Sequence, residues 1–234
     1  MTQPTSRAGH SLQVAWKLHT QTQASSTKMS AFRIASSAIT LADTQGLEAV
    51  TMRAAASQVG LATMGIYRHV ASRDELLLAM FEIAMGEPPH LSTKDAWQHT
   101  LRSWSQALLD SYQKHPWLID MPITGMPATP NHMLWVERAL DALAPTNLPP
   151  QRQLDCALLI DGRARQFARI ARESKGTSET PNIPELLRLA EDHTPRLVAA
   201  VRQGALQSKQ GPSYMAGIDI IIHGLEKELE IEPR

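Results

Sequence analysis

The stretch TMRAAASQVGLATMGIYRHVASRD, residues 51–74, constrains the fold more than any other part of the chain. Thr51 can cap a helix whose Met52, Ala55, Ala56 and Val59 fall at i, i+3, i+4 and i+7 on one face. Gly60 then breaks the pattern. A glycine can take the positive φ that ends a helix and turns the chain, which lets Leu61 enter the core. A second short helix, from Thr63 to about His69, turns Ile66 and Val70 inward and Thr63, Met64, Gly65, Tyr67 and Arg68 outward. Hydroxyls, a phenol and a guanidinium can hydrogen-bond base edges and phosphates, and a residue as small as Gly65 lets the backbone approach a groove floor. Two short helices about a tight turn, the second with such a face, have the layout of a DNA-reading helix-turn-helix.

The flanking segments complete a small helical domain. Upstream, Ile34, Ala38, Leu41 and Ala42 share one face of a helix that stops near Gly46. Downstream, Ser72 and Glu75 form an S-x-x-E capping box, so a fourth helix starts at Arg73 and packs Leu76, Leu77 and Met80 back on the domain. The run GEPPH, residues 86–90, marks a hinge or boundary. Formal net charge is zero, so no global field announces nucleic acid. No Asp or Glu precedes Asp43, however, while Arg7, Lys17, Lys28 and Arg33 do, so the N-terminal quarter is basic within a neutral chain. Residues 1–28, rich in Thr, Ser and Gln, read as a flexible tail, as a basic arm along the DNA, or as a segment ahead of a physiological start at Met29.

The remainder reads as a second helical domain, residues 93–234. Trp97, Leu101, Trp104 and Leu108 form an amphipathic stripe that ends before His115-Pro116-Trp117. A Pro-, Met- and Gly-rich loop precedes a helix from about His132 to Leu143. PTNLPP then releases a long helix from about Gln151 to Glu173, a polar loop KGTSETPN follows, a shorter helical region after Pro184 breaks near Thr194-Pro195, and the last helix runs from about Pro212 to Leu229. An apolar fraction of 43%, few aromatics and few alternating β-branched runs favour an all-α chain. Its expected organisation is a tail, 1–28, a three-helix DNA-binding domain with its helix-turn-helix, 29–86, and a helical ligand-binding and dimerisation domain, 93–234.

Residues 30–86 resemble the DNA-binding domain of the TetR family of bacterial transcriptional regulators. The resemblance rests on Gly46-Leu47 closing the first helix, Thr51-Met52-Arg53 opening the second, Tyr67-Arg68-His69-Val70, and Arg73-Asp74-Glu75-Leu76-Leu77. HPWLIDMPITGMPATPNHMLWVERALDAL and YMAGIDIIIHGLEKELE are similar, less specifically, to the ligand domain of the tetracycline-repressor branch. The resemblance implies that Tyr67 and His69 grip phosphates and that Thr51, Arg53 and Arg73 make flanking backbone contacts. Thr63, Met64, Gly65 and Arg68 are the candidates for base-edge contact, with a half-buried core role for Tyr67 and a merely solvated Arg68 as the plain alternatives.

One such domain meets too few phosphates to bind tightly, so a homodimer on a palindromic operator of double-stranded DNA is expected. Tyr214, Gly217, Ile218, Ile221, Gly224 and Leu225 on the last helix, with Leu154, Ala157 and Leu158 on the long one, can form a symmetric four-helix interface or belong to the intrachain core. Trp97, Trp104, Trp117, Met121, Met126, Met133 and Trp135 can line a cavity for a small, largely hydrophobic effector, or can be ordinary core; His132, Asp161 and Arg165, with His115, are candidate polar anchors. Asp161 and Arg165, at i and i+4, also suit a plain helix-stabilising pair. The expectation is a ligand-responsive regulator, most simply a repressor released by its effector. A helical adaptor docking only proteins is the rival.

No phosphate loop, G-x-S-x-G elbow, H-E-x-x-H helix or paired-carboxylate metal spacing occurs, and the nine histidines are scattered, so an enzyme, a metal site and a cofactor are not expected. The single cysteine, Cys156, excludes an intrachain disulfide and reads as buried packing rather than a redox thiol. No apolar run approaches the roughly 18 residues of a membrane span, which leads to the expectation of a cytoplasmic protein.

Overall fold

The computed structural model describes Trp16 and residues 30–92, 95–121, 129–176, 182–205 and 213–231. The expected tail and Met29 lie outside these residues, apart from Trp16. Among the described residues there is no strand, and no helix is long and apolar enough to cross a membrane.

Helix α1 (Ala31–Gln45) is capped by Ser30, whose hydroxyl accepts from the Arg33 N–H at 3.3 Å, and it buries Ile34, Ala38, Leu41 and Ala42 as the spacing predicts. A 3-10 turn, Leu47–Ala49, leads to α2 (Met52–Gln58), where the Thr51 hydroxyl accepts from Ala54 N–H at 3.1 Å. Gly60 turns the chain at φ +73°, a conformation that costs a Cβ-bearing residue 1–2 kcal/mol or so. Helix α3 (Thr63–Ile66) is shorter than its sequence pattern suggests. Beyond Ile66 the bonds tighten: Arg68 N–H reaches Gly65 O and His69 N–H reaches Ile66 O, so a turn rather than α-helix carries Val70 into the core.

Helix α4 (Arg73–Met85) begins at the expected capping box: Ser72 accepts from Glu75 N–H at 3.1 Å, and Glu75 reaches back to Ala71 N–H at 3.2 Å. Nine of its residues, from Glu75 to Met85, are buried, all round the helix, because α4 lies between α1 and the second half of the chain. Gly86 ends it at φ +58°.

The second half comprises α5 (Trp97–Lys114), a 3-10 turn (Pro116–Asp120), α6 (Pro130–Leu143), α7 (Pro150–Gly176), α8 (Ile183–Ala190), α9 (Pro195–Arg202) and α10 (Tyr214–Ile231). Helix α6 starts two residues before its expected origin because Pro130 occupies the first helical position, where its missing N–H costs nothing. Helices α5, α6 and α7 pack on one another, and α10 lies against α5 and α7. Polar contacts fix that last helix: Arg102 to Asp219 at 2.7 Å, Gln98 to Glu226 at 2.8 Å, and the buried Tyr214 hydroxyl donating to Ser105 O at 2.9 Å. One apolar cluster runs from Ile34 in α1 through α4 to Ile222 in α10, so both halves share a core.

Candidate nucleic-acid interface and effector site

The reader face follows from the short α3. With Ile66 and Val70 buried, Thr63, Met64, Tyr67 and Arg68 are left on the outside; Met64 is 78% exposed and Tyr67 44%. Tyr67 is therefore not core. A Cβ on Gly65 would meet only Leu61, at an ordinary 3.9 Å, so packing does not demand glycine there. Thr51 and Arg53 are exposed beside this face, and His69 is half-buried at its edge. These groups present donors and two guanidiniums, Arg53 and Arg68, suited to phosphates and base edges.

Arg73, expected to contact the phosphate backbone, is held by carbonyls of its own chain. Its Nε donates to Val50 O at 2.9 Å and its Nη2 to Leu47 O at 3.3 Å. The guanidinium thus satisfies the Val50 carbonyl, adds a second donor to Leu47 O, which already accepts from Val50 N–H, and braces α4 against the start of α2. A signal for this was present: a cation in the first turn of a helix faces the positive end of the helix dipole, a position it occupies at a cost unless other acceptors hold it.

In the second half, three expected cavity-lining tryptophans are core. Trp104, Trp117 and Trp135 are at most 3% exposed, and each indole N–H is bonded: Trp104 to Trp135 O at 2.9 Å, Trp117 to Asp43 Oδ1 at 2.8 Å, Trp135 to Gly86 O at 3.1 Å. Met133 points to solvent on the outer side of α6, Met121 and Trp97 are half-buried, and Met126 lies outside the described residues.

The polar anchors do come together. Arg165 Nε donates to Asp161 Oδ2 at 2.8 Å, as the i, i+4 spacing predicts. Tyr112, which the sequence reading missed, donates its hydroxyl to Asp161 Oδ1 at 2.5 Å and lies beneath the Arg165 guanidinium, 4.9 Å from the ring centroid. Burial, then the Asp161 charge, raises the Tyr112 pKa well above that of an ordinary phenol, so it remains a donor. His132 sits within the field of Asp161 and Arg165 and packs its ring 5.1 Å from Phe81 of α4. Burial lowers its pKa, which favours neutral imidazole. Tyr112 continues the stripe of Leu101, Trp104 and Leu108; a phenol on such an apolar face requires a partner, and that is the signal that could have found it.

Two sets of contacts join this cluster to the reader. At the end of α4, the buried Glu82 accepts from Asn131 N–H at 2.9 Å, and Asn131 Nδ2 donates to Glu82 O at 2.9 Å. At the end of α1, Asp43 accepts from Trp117 and pairs with His115 Nδ1 at 2.9 Å.

The residues expected at a dimer face divide between the chain's own core and its surface. Tyr214, Ile218, Leu225 and Ala157 are buried in the chain's own core, Ile221 is half-buried, and a Cβ on Gly217 would run into the Arg163 guanidinium. Leu154 and Leu158 are exposed as expected. They share the surface with Leu159 and with Ile220, which is 74% exposed, and a groove of about 320 Å³ runs between α7 and α10 beside the open Gly224. Cys156 lies in the floor of that groove, its thiol pushed up to about 11 by burial, and it behaves as packing.

Comparison with known proteins agrees with this arrangement. Residues 34–80 match the model of bacterial regulatory proteins of the tetR family, and residues 88–229 match the Tetracyclin repressor-like, C-terminal domain. The HTH-type transcriptional repressor DrrR1 of Streptomyces coeruleorubidus is 26% identical over 210 residues, spanning 85% of this chain and 75% of that protein. Apo ActR from Streptomyces coelicolor superposes with a TM-score of 0.72 at 25% identity, covering 87% of this chain and 99% of that one. ActR in complex with actinorhodin gives 0.71 at 24% identity, with the same coverage. The second family match alone takes in more than half of the chain, which therefore belongs to the TetR family of bacterial regulatory proteins.

Proposed function

We propose that this chain is a ligand-responsive transcriptional repressor: a homodimer that binds a palindromic DNA operator and is released by a small, largely hydrophobic effector. The observation that carries it is the reader face of Thr63, Met64, Tyr67 and Arg68, standing clear of a core that accounts for every apolar neighbour. Residues 29–86 read DNA in this proposal, and residues 93–234 bind the effector and the second subunit. The named relatives support it, DrrR1 as a repressor and ActR as a protein solved with a small molecule.

The second subunit is assigned to the exposed surface of Leu154, Leu158, Leu159 and Ile220, with Gly224 allowing close helix approach. A two-fold dimer through these helices matches a two-fold operator. The effector is assigned to the neighbourhood of Tyr112, His132, Asp161 and Arg165, where a few polar groups stand among apolar walls. An effector can release the operator only by binding the released form more tightly than the bound one. No catalytic step is assigned to the chain, and its place of work is the cytoplasm, with its DNA.

Selection of duplexes from a random pool, at near-physiological salt and without added ligand, tests the reading. Enrichment of a palindrome is the expected result. A pool that stays unenriched for the parent chain, or that Tyr67→Ala and Arg68→Ala variants enrich equally well, overturns it.

A further inference from the structure

We propose that Asp43, His115 and Trp117 form a latch that fixes the angle between the DNA-reading half and the regulatory half, and thereby sets the half-site spacing that the dimer accepts. The proposal rests on the dimeric, palindrome-binding reading above and adds the residues that determine one of its specificities.

The two halves touch through α4 and through α1. The α4 attachment is a row along one helix end: Phe81 on His132, Glu82 on Asn131, and Gly86 O on Trp135. Attachments in a row along one helix leave rotation about that helix as the soft motion. A second attachment off that line removes it, and Asp43 is the residue that makes one.

Asp43 is poorly placed for its own domain. It stands in the last turn of α1, where the helix dipole is negative and no basic side chain is present, so its charge disfavours the helix. Its two partners both come from the other half. The Trp117 indole donates at 2.8 Å, and His115 Nδ1 lies 2.9 and 3.1 Å from the two carboxylate oxygens. A carboxylate only accepts, so that nitrogen carries the proton. His115 and Trp117 are buried, which makes the carboxylate their replacement for water. A residue that breaks a local rule and is satisfied only across an interface is placed for the interface.

The far side of the latch is anchored. Trp117 lies in the 3-10 turn Pro116–Asp120, which two arginines of α7 hold from behind. Arg172 donates to Pro116 O at 3.3 Å and pairs with Asp120, and Arg165 donates to Leu118 O at 3.5 Å while holding Asp161. The latch is thus seated on the same Arg165 that belongs to the candidate effector cluster. Its leverage is large enough to matter: α1, at 15 residues, is roughly 22 Å long, and a tilt of about 10° moves its far end by about 4 Å. That is about the 3.4 Å rise of one base pair.

The test uses the full chain and the palindrome it selects, together with two duplexes that have one base pair added or removed between the half-sites. Parent, Asp43→Ala and Asp43→Asn chains are titrated against all three, with melting temperature and oligomeric state recorded for each. The parent is expected to prefer the selected spacing. Asp43→Ala is expected to weaken that preference about fivefold, the scale of one lost pairwise coupling, while its affinity for the selected spacing falls less. Asp43→Asn, which keeps one acceptor for Trp117, falls between. Trp117→Phe keeps a six-membered aromatic ring and removes the pyrrole ring with its N–H, leaving a small cavity, and serves in place of Asp43→Ala should that chain not fold. A parental preference retained in the variants overturns the latch, as does a parallel loss at all three spacings, which a merely structural role produces. A parent that enriches no palindrome overturns the dimer reading and the latch with it, an outcome visible before any variant is made.

Discussion

In the DNA-reading half the informative polar and aromatic side chains point outward; in the regulatory half the same residue types point inward. Among the described residues the Tyr67 and Arg68 side chains have no hydrogen-bond partner, whereas Trp104, Trp117, Trp135 and Tyr112 each hold a hydrogen bond inside the chain. The difference lies in what each half must build. The reader's α2 and α3, seven and four residues long, bury Ala55, Ala56 and Ile66 and leave Tyr67 and Arg68 outside. A regulatory half built of longer helices must fill thick layers, and tryptophan fills them best once its N–H is satisfied. A large aromatic near a loop is therefore evidence of a binding site only after its polar atom has been shown to lack a partner.

Substitution can break this comparison. Trp104→Ala removes a fully packed indole and its bond to Trp135 O, and is expected to cost about 3–5 kcal/mol of stability, read as a lower denaturation midpoint. If Trp104→Ala left the midpoint in place and changed only effector response, Trp104 would be lining rather than core. Arg73→Ala comes next. Its loss opens the Val50 carbonyl and removes one of the two donors to Leu47 O, and is expected to cost about 1.5–3 kcal/mol of stability, with the salt dependence of operator binding unchanged. A slope reduced by about one unit in log–log form would return Arg73 to the phosphate backbone. Arg68→Ala should do the converse: a loss of about 1–3 kcal/mol in operator affinity if the guanidinium pairs with a guanine, and no change in melting.

These cases also show how much could be read from the chain alone. The helix-turn-helix, the capping box at Ser72 and Glu75, and the faces of α1 and α5 were legible because each rests on residues within one or two turns of one another. The exposed face of α10 was not. In YMAGIDIIIHGLEKELE, isoleucines at 218, 220, 221 and 222 surround the helix, so periodicity offers several equivalent stripes; only the packing of Ile218 and Ile222 on the core leaves Ile220 outside. The role of Arg73 and the link from Asp43 to Trp117 were illegible for another reason. Their partners lie 23 and 74 positions away, and no local pattern reports a contact of that separation.

The buried polar cluster gives the smallest expected effect and a sharp one in sign. Burial lowers the folded-state pKa of His132 from its ordinary 6.5. Between that value and the lower folded one, the unfolded chain binds a proton that the folded chain refuses. Stability therefore rises with pH across this window: the contribution is complete above about 6.5 and is lost as pH falls toward the folded pKa. Melting temperature followed from pH 7.5 downward should begin to decline near 6.5 in the parent, and His132→Gln should remove that part of the decline, because glutamine does not titrate. Reader residues provide the internal control. Thr63→Ala on the exposed face of α3 removes no titrating group, so it should leave the parent's pH profile of melting intact while weakening operator binding. If both substitutions changed the profile alike, the contrast between an inward-facing and an outward-facing half would fail. If neither did, the decline would not come from His132.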